Sequence, residues 1–127
     1  MGLLDTWARR ATERRDENVD FLGAQHGPIE ETLKRELTLE FATRPVIRRA
    51  YLASVAFPPQ TEPSAALCIV SDRPDDKSIV VRVGEILRRR FNTDVPLDVI
   101  FLTTEQETAL ARVCRPFYGS PIPNAEP

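Results

Sequence analysis

Residues 46–57 read VIRRAYLASVAF, and residues 64–71 read SAALCIVS. Both stretches are rich in aliphatic and β-branched residues, which favour strands on a half-buried or buried sheet. The segment between them, PPQTEP, contains three prolines and cannot donate a continuous ladder of hydrogen bonds. We therefore expect two strands joined by a wide loop. One face of the first strand is expected to carry Ile47, Tyr51, Ala53, Val55 and Phe57.

A helix is expected on each side of this pair of strands. Before it, Leu33, Leu37 and Phe41 recur every four residues, the spacing of one helical face. Pro28 suits the first position of that helix, where the missing N–H has no helical partner. After the pair, the carboxylates of 72–76 favour the start of a second helix. The apolar positions of the second helix are Ile79, Val80, Val83, Ile86, Leu87 and Phe91.

Two further strands complete the expected fold. Residues 18–23 and 97–102 show partial alternation of polar and apolar side chains. The element order is then that of a ferredoxin-like βαββαβ domain of the α+β class, with both helices on one face of the sheet. We expect this domain to span residues 18–118. The other sheet face is also apolar and needs a cover, from the N-terminal helix, the C-terminal helix or a second subunit.

Each end of the chain carries a further expected element. Residues 1–17 predict an amphipathic helix, which docks on the domain or on another molecule. Its apolar stripe consists of Leu3, Leu4, Trp7, Ala8 and Ala11. Near the other end, Thr103 or Thr104 can close a capping box ahead of a final helix. The Phe117–Tyr118 pair is then expected to fold back on the core, before a flexible proline-rich tail at 119–127.

Composition argues against several classes of protein. Among 127 residues, 17 basic and 19 acidic side chains leave a net charge of −2, so no overall field favours nucleic acid or an anionic membrane. No apolar run is long enough for a signal peptide or a membrane span. Cys68 and Cys114 lie among apolar neighbours, as expected of buried free thiols in a reducing cytoplasm. We expect a soluble, cytoplasmic domain that binds neither nucleic acid nor membranes.

The polar residues do not form a recognisable catalytic or metal-binding set. The single histidine, His26, falls in an expected loop, so a two-histidine metal site is not available. Helix capping explains Asp72, Asp75 and Asp76 better than cation binding does. Two groups of arginines are expected at the ends of elements. The first group, at the start of the long strand, consists of Arg44, Arg48 and Arg49. The second group, near the end of the second helix, consists of Arg88, Arg89 and Arg90. We therefore expect no catalytic residue, no metal and no cofactor.

Four short segments stand out by their order and spacing. They are Phe21–Gly23 followed by Pro28, then Arg49–Leu52, Pro96–Val99 and Arg115–Tyr118. Together they resemble the C-terminal domain of the enhanced serine sensitivity protein family of bacteria, over residues 18–118. That family is named for a growth phenotype involving serine, and the resemblance implies no catalytic residue. Its longer members carry another domain ahead of this one.

We expect a non-catalytic domain that binds another protein or forms a homodimer. The expectation rests on the surplus apolar sheet face and on the N-terminal stripe, where Trp7 is a typical interface anchor. The expected contact residues are Leu3, Leu4, Trp7, Ala11 and Tyr51. The alternative is a regulatory domain that senses a small molecule, an amino acid such as serine, by analogy with other ferredoxin-like folds.

Overall fold

The computed structural model describes residues 11–14, 19–59, 62–73, 76–90 and 97–121, and the statements below concern those residues. Within them, five strands form one mixed sheet and three helices pack against it. The strands are β1 (Ala11–Arg14), β2 (Asp20–Ala24), β3 (Ile47–Ala56), β4 (Ser64–Ser71) and β5 (Leu97–Phe101). The helices are α1 (Pro28–Phe41), α2 (Lys77–Arg90) and α3 (Thr104–Ala111). The expected α+β class is confirmed.

The strands lie in the spatial order β1-β5-β4-β3-β2. β5 runs parallel to both of its neighbours, whereas β3 runs antiparallel to β4 and to β2. The expected ferredoxin-like order is therefore wrong. In that order the two strands joined by each helix are parallel and have a third strand between them. Here α1 and α2 each join strands that are direct neighbours.

The burial of β3 explains this difference. Its side chains are buried on both faces along most of the strand, and it pairs with β4 over nearly its whole length. A strand with both faces buried belongs inside a sheet. β2 has five residues, is partly exposed and contains Gly23 at a register shift, features that suit an edge. In a ferredoxin-like order β2 would lie inside the sheet, between β5 and β4, and β3 would lie at an edge.

Both α1 and α2 pack on one face of the sheet, as expected. The helical residues of this first core are Leu33, Leu37, Phe41, Ile79, Val83, Ile86 and Leu87. Burial of an aliphatic side chain of this size stabilises a fold by about 1.5–3 kcal/mol. The apolar stripes that predict the two helices are thus the surfaces that hold them on the sheet. None of the helices in the described part is long and apolar enough to cross a membrane.

The opposite face of the sheet is covered by α3 and the turn that follows it. Leu110 and Cys114 pack there on the second core. The strand residues of that core are Tyr51, Ala53, Val55, Ala66, Cys68 and Ile100. The expected capping box is present, because Thr103 and Gln106 exchange hydrogen bonds between side chain and backbone. Of the three covers considered from the sequence, the C-terminal helix is the one observed.

A register shift in β3 moves Ile47 to the other face of the sheet. The shift lies between Ile47 and Arg49. Ile47 packs with the helices in the first core, whereas Tyr51 packs in the second. A bulge adds one unpaired residue to a strand, so the alternation of faces reverses across it. The expectation that Ile47 and Tyr51 share a face is wrong for this reason.

Part of the N-terminal stretch is extended where the sequence analysis expects a helix. Ala11–Arg14 pair in parallel with Leu97–Ile100 of β5. That edge of β5 presents unpaired backbone groups, and pairing with them outweighs a weak helical propensity. The expected N-terminal helix therefore does not include these four residues. Leu3, Leu4 and Trp7 of its stripe lie outside the described residues.

The last described residues fold back on the sheet, as expected. Tyr118 forms a bridge with Ala50 of β3, and Phe117 and Tyr118 pack against the first core. Residues 122–127 of the expected tail lie outside the described residues.

Both cysteines are buried and free, as expected. Burial raises the pKa of the Cys68 thiol and of the Cys114 thiol. Both thiols are therefore protonated at neutral pH and serve as small core residues.

Candidate functional site

A buried carboxylate ties α3 to the sheet. Among the described residues, Glu107 is the only charged residue whose side chain is buried, with 5% exposure. Arg49 of β3 donates two hydrogen bonds to it, from Nε to Oε2 at 2.5 Å and from Nη2 to Oε1 at 3.0 Å. The Tyr51 hydroxyl donates a third, to Oε2 at 2.6 Å. We call these three side chains the buried cluster.

The strand alternation and the start of α3 bring the buried cluster together. Arg49 and Tyr51 are two residues apart in β3, so they point to the same face of the sheet. The backbone N–H of Glu107 bonds to the Thr103 carbonyl, within the first turn of α3, where the helix dipole favours a carboxylate. Glu107 and Tyr51 are buried, and Tyr51 belongs to the apolar second core, where low polarity strengthens the attraction between the carboxylate and its donors.

The buried cluster keeps its protons in place. Burial raises the pKa of Tyr51 well above its ordinary value, and the hydrogen bond to Glu107 raises it further. The hydrogen bond to the same carboxylate is the main reason that the pKa of Arg49 is raised. Tyr51 therefore remains a hydrogen-bond donor and Arg49 remains a cation at neutral pH. Neither exchanges a proton in that range, and the cluster acts as an anchor for α3.

A second arrangement of charges lies between α1 and α2. A shallow groove of about 180 Å³ separates the two helices there. Its lining residues are Glu36, Leu39, Glu40, Arg82, Ile86 and Arg89. Glu40 accepts hydrogen bonds from Arg44 Nε at 3.0 Å and from Arg82 Nε at 2.9 Å, and Arg82 also reaches Glu85 at 3.4 Å. We call this feature the helical groove.

The arginines beside the helical groove stabilise the charged form of Glu40. The hydrogen bond from Arg82 is the largest effect, and with the one from Arg44 it outweighs partial burial and lowers the pKa of Glu40. In turn, hydrogen bonds to Glu40 and Glu85 raise the pKa of Arg82. Glu40 and Arg82 therefore form an ion pair between α1 and α2 that persists at neutral pH.

Exposed aliphatic side chains accompany these charges. Leu39 lines the helical groove and is 69% exposed, and Val81, next to Arg82 on α2, is 63% exposed. They are the two most exposed large hydrophobic residues in the described part of the chain. The outer side of α1 and α2 thus exposes apolar groups together with charged ones.

Of the contact residues expected from the sequence, the two in the described part of the chain do not line this groove. Tyr51 is fully buried and its hydroxyl belongs to the buried cluster, so it offers no surface to a partner. Ala11 lies in β1 at the edge of the sheet. The other three expected contact residues lie outside the described residues.

The remaining polar candidates act in local structure. Asp76 accepts hydrogen bonds from the N–H and the hydroxyl of Ser78, in the capping role expected for it. His26 is exposed in a loop. Each arginine of the first group binds a carboxylate, in the pairs Arg44–Glu40, Arg48–Asp72 and Arg49–Glu107. Over the described ranges, no group of three or more histidine, cysteine, aspartate or glutamate side chains could hold a metal ion.

Sequence reasoning missed both Glu40 and Glu107. Their partners are distant along the chain, since 42 residues separate Glu40 from Arg82 and 58 separate Glu107 from Arg49. One signal was available for Glu107, which lies three residues before the buried Leu110 and so shares its helical face. A carboxylate on a buried face requires a compensating partner.

Replacement of Glu107 by alanine should lower the free energy of unfolding by about 3 kcal/mol, because it leaves Arg49 and Tyr51 without their shared acceptor. Denaturant-induced unfolding measures the loss. Glu105→Ala is the matched control, since Glu105 is exposed in the first turn of the same helix. It should cost less than about 1 kcal/mol. Equal losses in the two variants would contradict the role given to the buried cluster.

Glu40→Gln should change how the free energy of unfolding depends on pH. A lowered pKa in the folded protein means that ionised Glu40 stabilises the fold above its ordinary value of 4.5, and that this contribution is lost as the pH falls through the folded pKa. The variant should therefore be less stable than the wild type at pH 7. The difference should shrink towards zero below about pH 4.5. Unfolding curves recorded between pH 2 and 7 test this.

Glu31→Gln serves as the control for that series. Glu31 lies on the same helix and pairs with Lys34, but its side chain is 59% exposed, and exposed ion pairs contribute little. The wild type keeps some acid sensitivity from Asp76, whose pKa is lowered mainly by its hydrogen bond to the Ser78 side chain. The difference in free energy of unfolding between the wild type and Glu40→Gln should vary with pH. A constant difference would refute the lowered pKa of Glu40.

Comparison with known proteins adds one finding. The family model described as the SseB protein C-terminal domain matches residues 22–119. The match runs from β2 to Gly119, so it includes the buried cluster, the helical groove and the segment that folds back on β3. No curated protein and no solved structure is significantly similar to the chain. The match covers more than half of the chain and confirms the resemblance to the enhanced serine sensitivity family; the chain belongs to the SseB protein C-terminal domain family.

Proposed function

We propose that this domain is a non-catalytic binding domain, which contacts another protein or a second copy of the chain through the helical groove. The observation that carries the proposal is the exposure of Leu39 in the helical groove beside charges of both signs, with Val81 exposed on the outer side of α2. The sheet face that the sequence analysis assigned to a partner is occupied by α3. We therefore place the contact surface on α1 and α2 and not on the sheet face.

The apolar residues provide the attraction. Removing apolar area from water contributes roughly 25 cal/mol for each Å², so an exposed leucine such as Leu39 gains from contact with a partner. Ile86, a buried residue of the first core, also lines the helical groove. The apolar surface thus continues from an exposed side chain into the groove, which suits an inserted side chain of a partner.

The charges select which partner fits. Glu36 and Glu40 line the helical groove from α1, and Arg82 and Arg89 line it from α2. A partner with the complementary arrangement is oriented by these charges, whereas another partner leaves desolvated charges without a counterpart. The charges therefore contribute to specificity more than to affinity.

The shape of the groove also favours a protein as the partner. Pockets that enclose a drug-sized ligand have volumes of about 300–1,000 Å³. The helical groove has about 180 Å³ and holds only part of such a molecule. A side chain from a partner surface needs no more space than this.

Leu39→Asp and Val81→Asp should each weaken binding about tenfold or more, because each places a carboxylate in an apolar contact that excludes water. The fold should be unaffected, since both side chains are exposed. Light scattering over a range of concentrations measures self-association. Capture from an extract of the source cell on immobilised domain measures binding to another protein.

Val113→Asp is the matched control. Val113 is 45% exposed and follows α3, so it lies on neither α1 nor α2. This variant should bind like the wild type. An equal loss in all three variants would indicate a general effect of added charge, and unchanged binding by Leu39→Asp would remove the groove from the proposal.

One observation favours a second candidate, a regulatory domain that senses an amino acid. The helical groove presents carboxylates on one side and guanidinium groups on the other, as the ammonium and carboxylate groups of a free amino acid require. The family is named for a phenotype involving serine, which supports testing serine among the candidates.

Amino-acid binding should raise the melting temperature of the domain. A ligand at 100 times its dissociation constant adds about 2.7 kcal/mol to the stability, and thermal shift against a panel of amino acids that includes serine detects a change of this size. Arg89→Ala should abolish the shift, because Arg89 lines the helical groove. Arg88→Ala, on an exposed neighbour that does not line it, should preserve the shift. No shift with any amino acid would eliminate this candidate.

A further inference from the structure

The last described segment of the chain lies along the edge of β3 as an added strand would. We call residues 115–119, Arg-Pro-Phe-Tyr-Gly, the strap. The Phe117 N–H donates to the Ala50 carbonyl at 2.9 Å, and the Ala50 N–H donates to the Tyr118 carbonyl at 3.1 Å. Both backbone groups of Ala50 are thus satisfied by the strap, in an antiparallel bridge.

The strap occupies a part of the edge that β2 leaves open. β2 pairs with β3 only from Ala53 to Ala56, and its continuation ends with the Gln25 N–H bonded to the Leu52 carbonyl. In an antiparallel strand every second residue points its backbone groups to the same side. Ala50 is therefore the next position on this edge, and without the strap its N–H and C=O would be unpaired.

Side-chain contacts make the binding position of the strap on the edge of β3 selective. The Tyr118 hydroxyl donates to the carbonyl of Phe41, the last residue of α1, at 3.1 Å, and this carbonyl also accepts the Arg44 N–H at 2.9 Å. The rings of Tyr118 and Phe117 lie 5.8 and 6.4 Å from that of Phe41. A phenol and a second ring are thus both recognised at this position.

A glycine is required at the end of the strap. Gly119 has a φ of +82°, a conformation that other residues rarely adopt. A Cβ atom at this position would also clash with the Arg48 carbonyl oxygen. The edge of β3 at Ala50 therefore accepts an extended aromatic-aromatic-glycine segment and excludes any residue larger than glycine in the third position.

We propose that the edge of β3 at Ala50 is a docking site for an extended peptide with the chemistry of the strap, and that the strap is its competitor within the chain. The binding mode is strand addition, in which backbone hydrogen bonds provide affinity and side-chain contacts provide selectivity. A partner that carries an aromatic-aromatic-glycine segment displaces the strap and takes its place. This site lies at the sheet edge and is independent of the helical groove.

The test uses the full chain with Gly119→Val, which should release the strap because a β-branched residue is excluded there. Amide exchange measured by NMR should become at least tenfold faster at Ala50 and remain unchanged at Leu67 in β4. A synthetic peptide, Arg-Pro-Phe-Tyr-Gly-Ser, should bind this variant and slow the exchange of Ala50 again. It should bind the wild type at least tenfold more weakly, because the attached strap is present at a high effective concentration.

Two controls accompany this experiment. Ser120→Val changes the exposed residue that follows the strap and should behave like the wild type. The same peptide with valine in place of glycine should not bind. Continued protection of Ala50 in Gly119→Val, or an exposed edge that fails to bind the peptide, would overturn the proposal.

A milder variant covers the case in which Gly119→Val does not fold. Tyr118→Phe removes only the hydroxyl that donates to the Phe41 carbonyl. The loss of one hydrogen bond should speed the exchange of Ala50 about fivefold and leave Leu67 unchanged. No change at Ala50 in this variant would also overturn the proposal.

Discussion

Backbone hydrogen bonds along both edges of β3 hold the described part of the domain together. β4 pairs with it on one side, and β2 and the strap share the other. Its two faces are buried as well, one under α1 and α2 and the other under α3. A backbone group that is removed from water has to find a partner, so a strand enclosed on all sides constrains every neighbouring element. The C-terminal segments are as much a part of this arrangement as the strands are.

The two charged sites differ in what surrounds them, and their roles differ accordingly. The buried cluster lies in an apolar environment, where a carboxylate with three donors is stable and one without them is not. Its effect is to fix α3 over the second core. The Glu40 carboxylate of the helical groove is more exposed than Glu107, so its ion pairs are expected to contribute less to stability. The buried cluster holds the fold together, and the helical groove is the surface that we propose for recognition.

The position of α3 explains why the proposed contact surface lies on the helices and not on the sheet face expected from the sequence. An apolar sheet face that needs a cover is a sound reason to expect a partner, but here α3 provides the cover within the same chain. The family match includes the residues that build this arrangement, from β2 to the end of the strap. The surfaces that we propose for a partner are therefore the outer side of α1 and α2 and, once the strap is displaced, the edge of β3 at Ala50.

Local patterns in the sequence determined the elements from β2 to α3, the capping box of α3, the packing of α1 and α2 on one face and the buried state of both thiols. These follow from periodicity and from turn chemistry within a few residues. The sequence also resembled its family through four short segments, and the family match confirms it. Tertiary structure alone decided the strand order, because pairing partners depend on which strand is buried on both faces. It also decided the strand at Ala11–Arg14, the shift at Ile47 and the meeting of Arg49 with Glu107, because each of these results from a contact between segments that are distant along the chain.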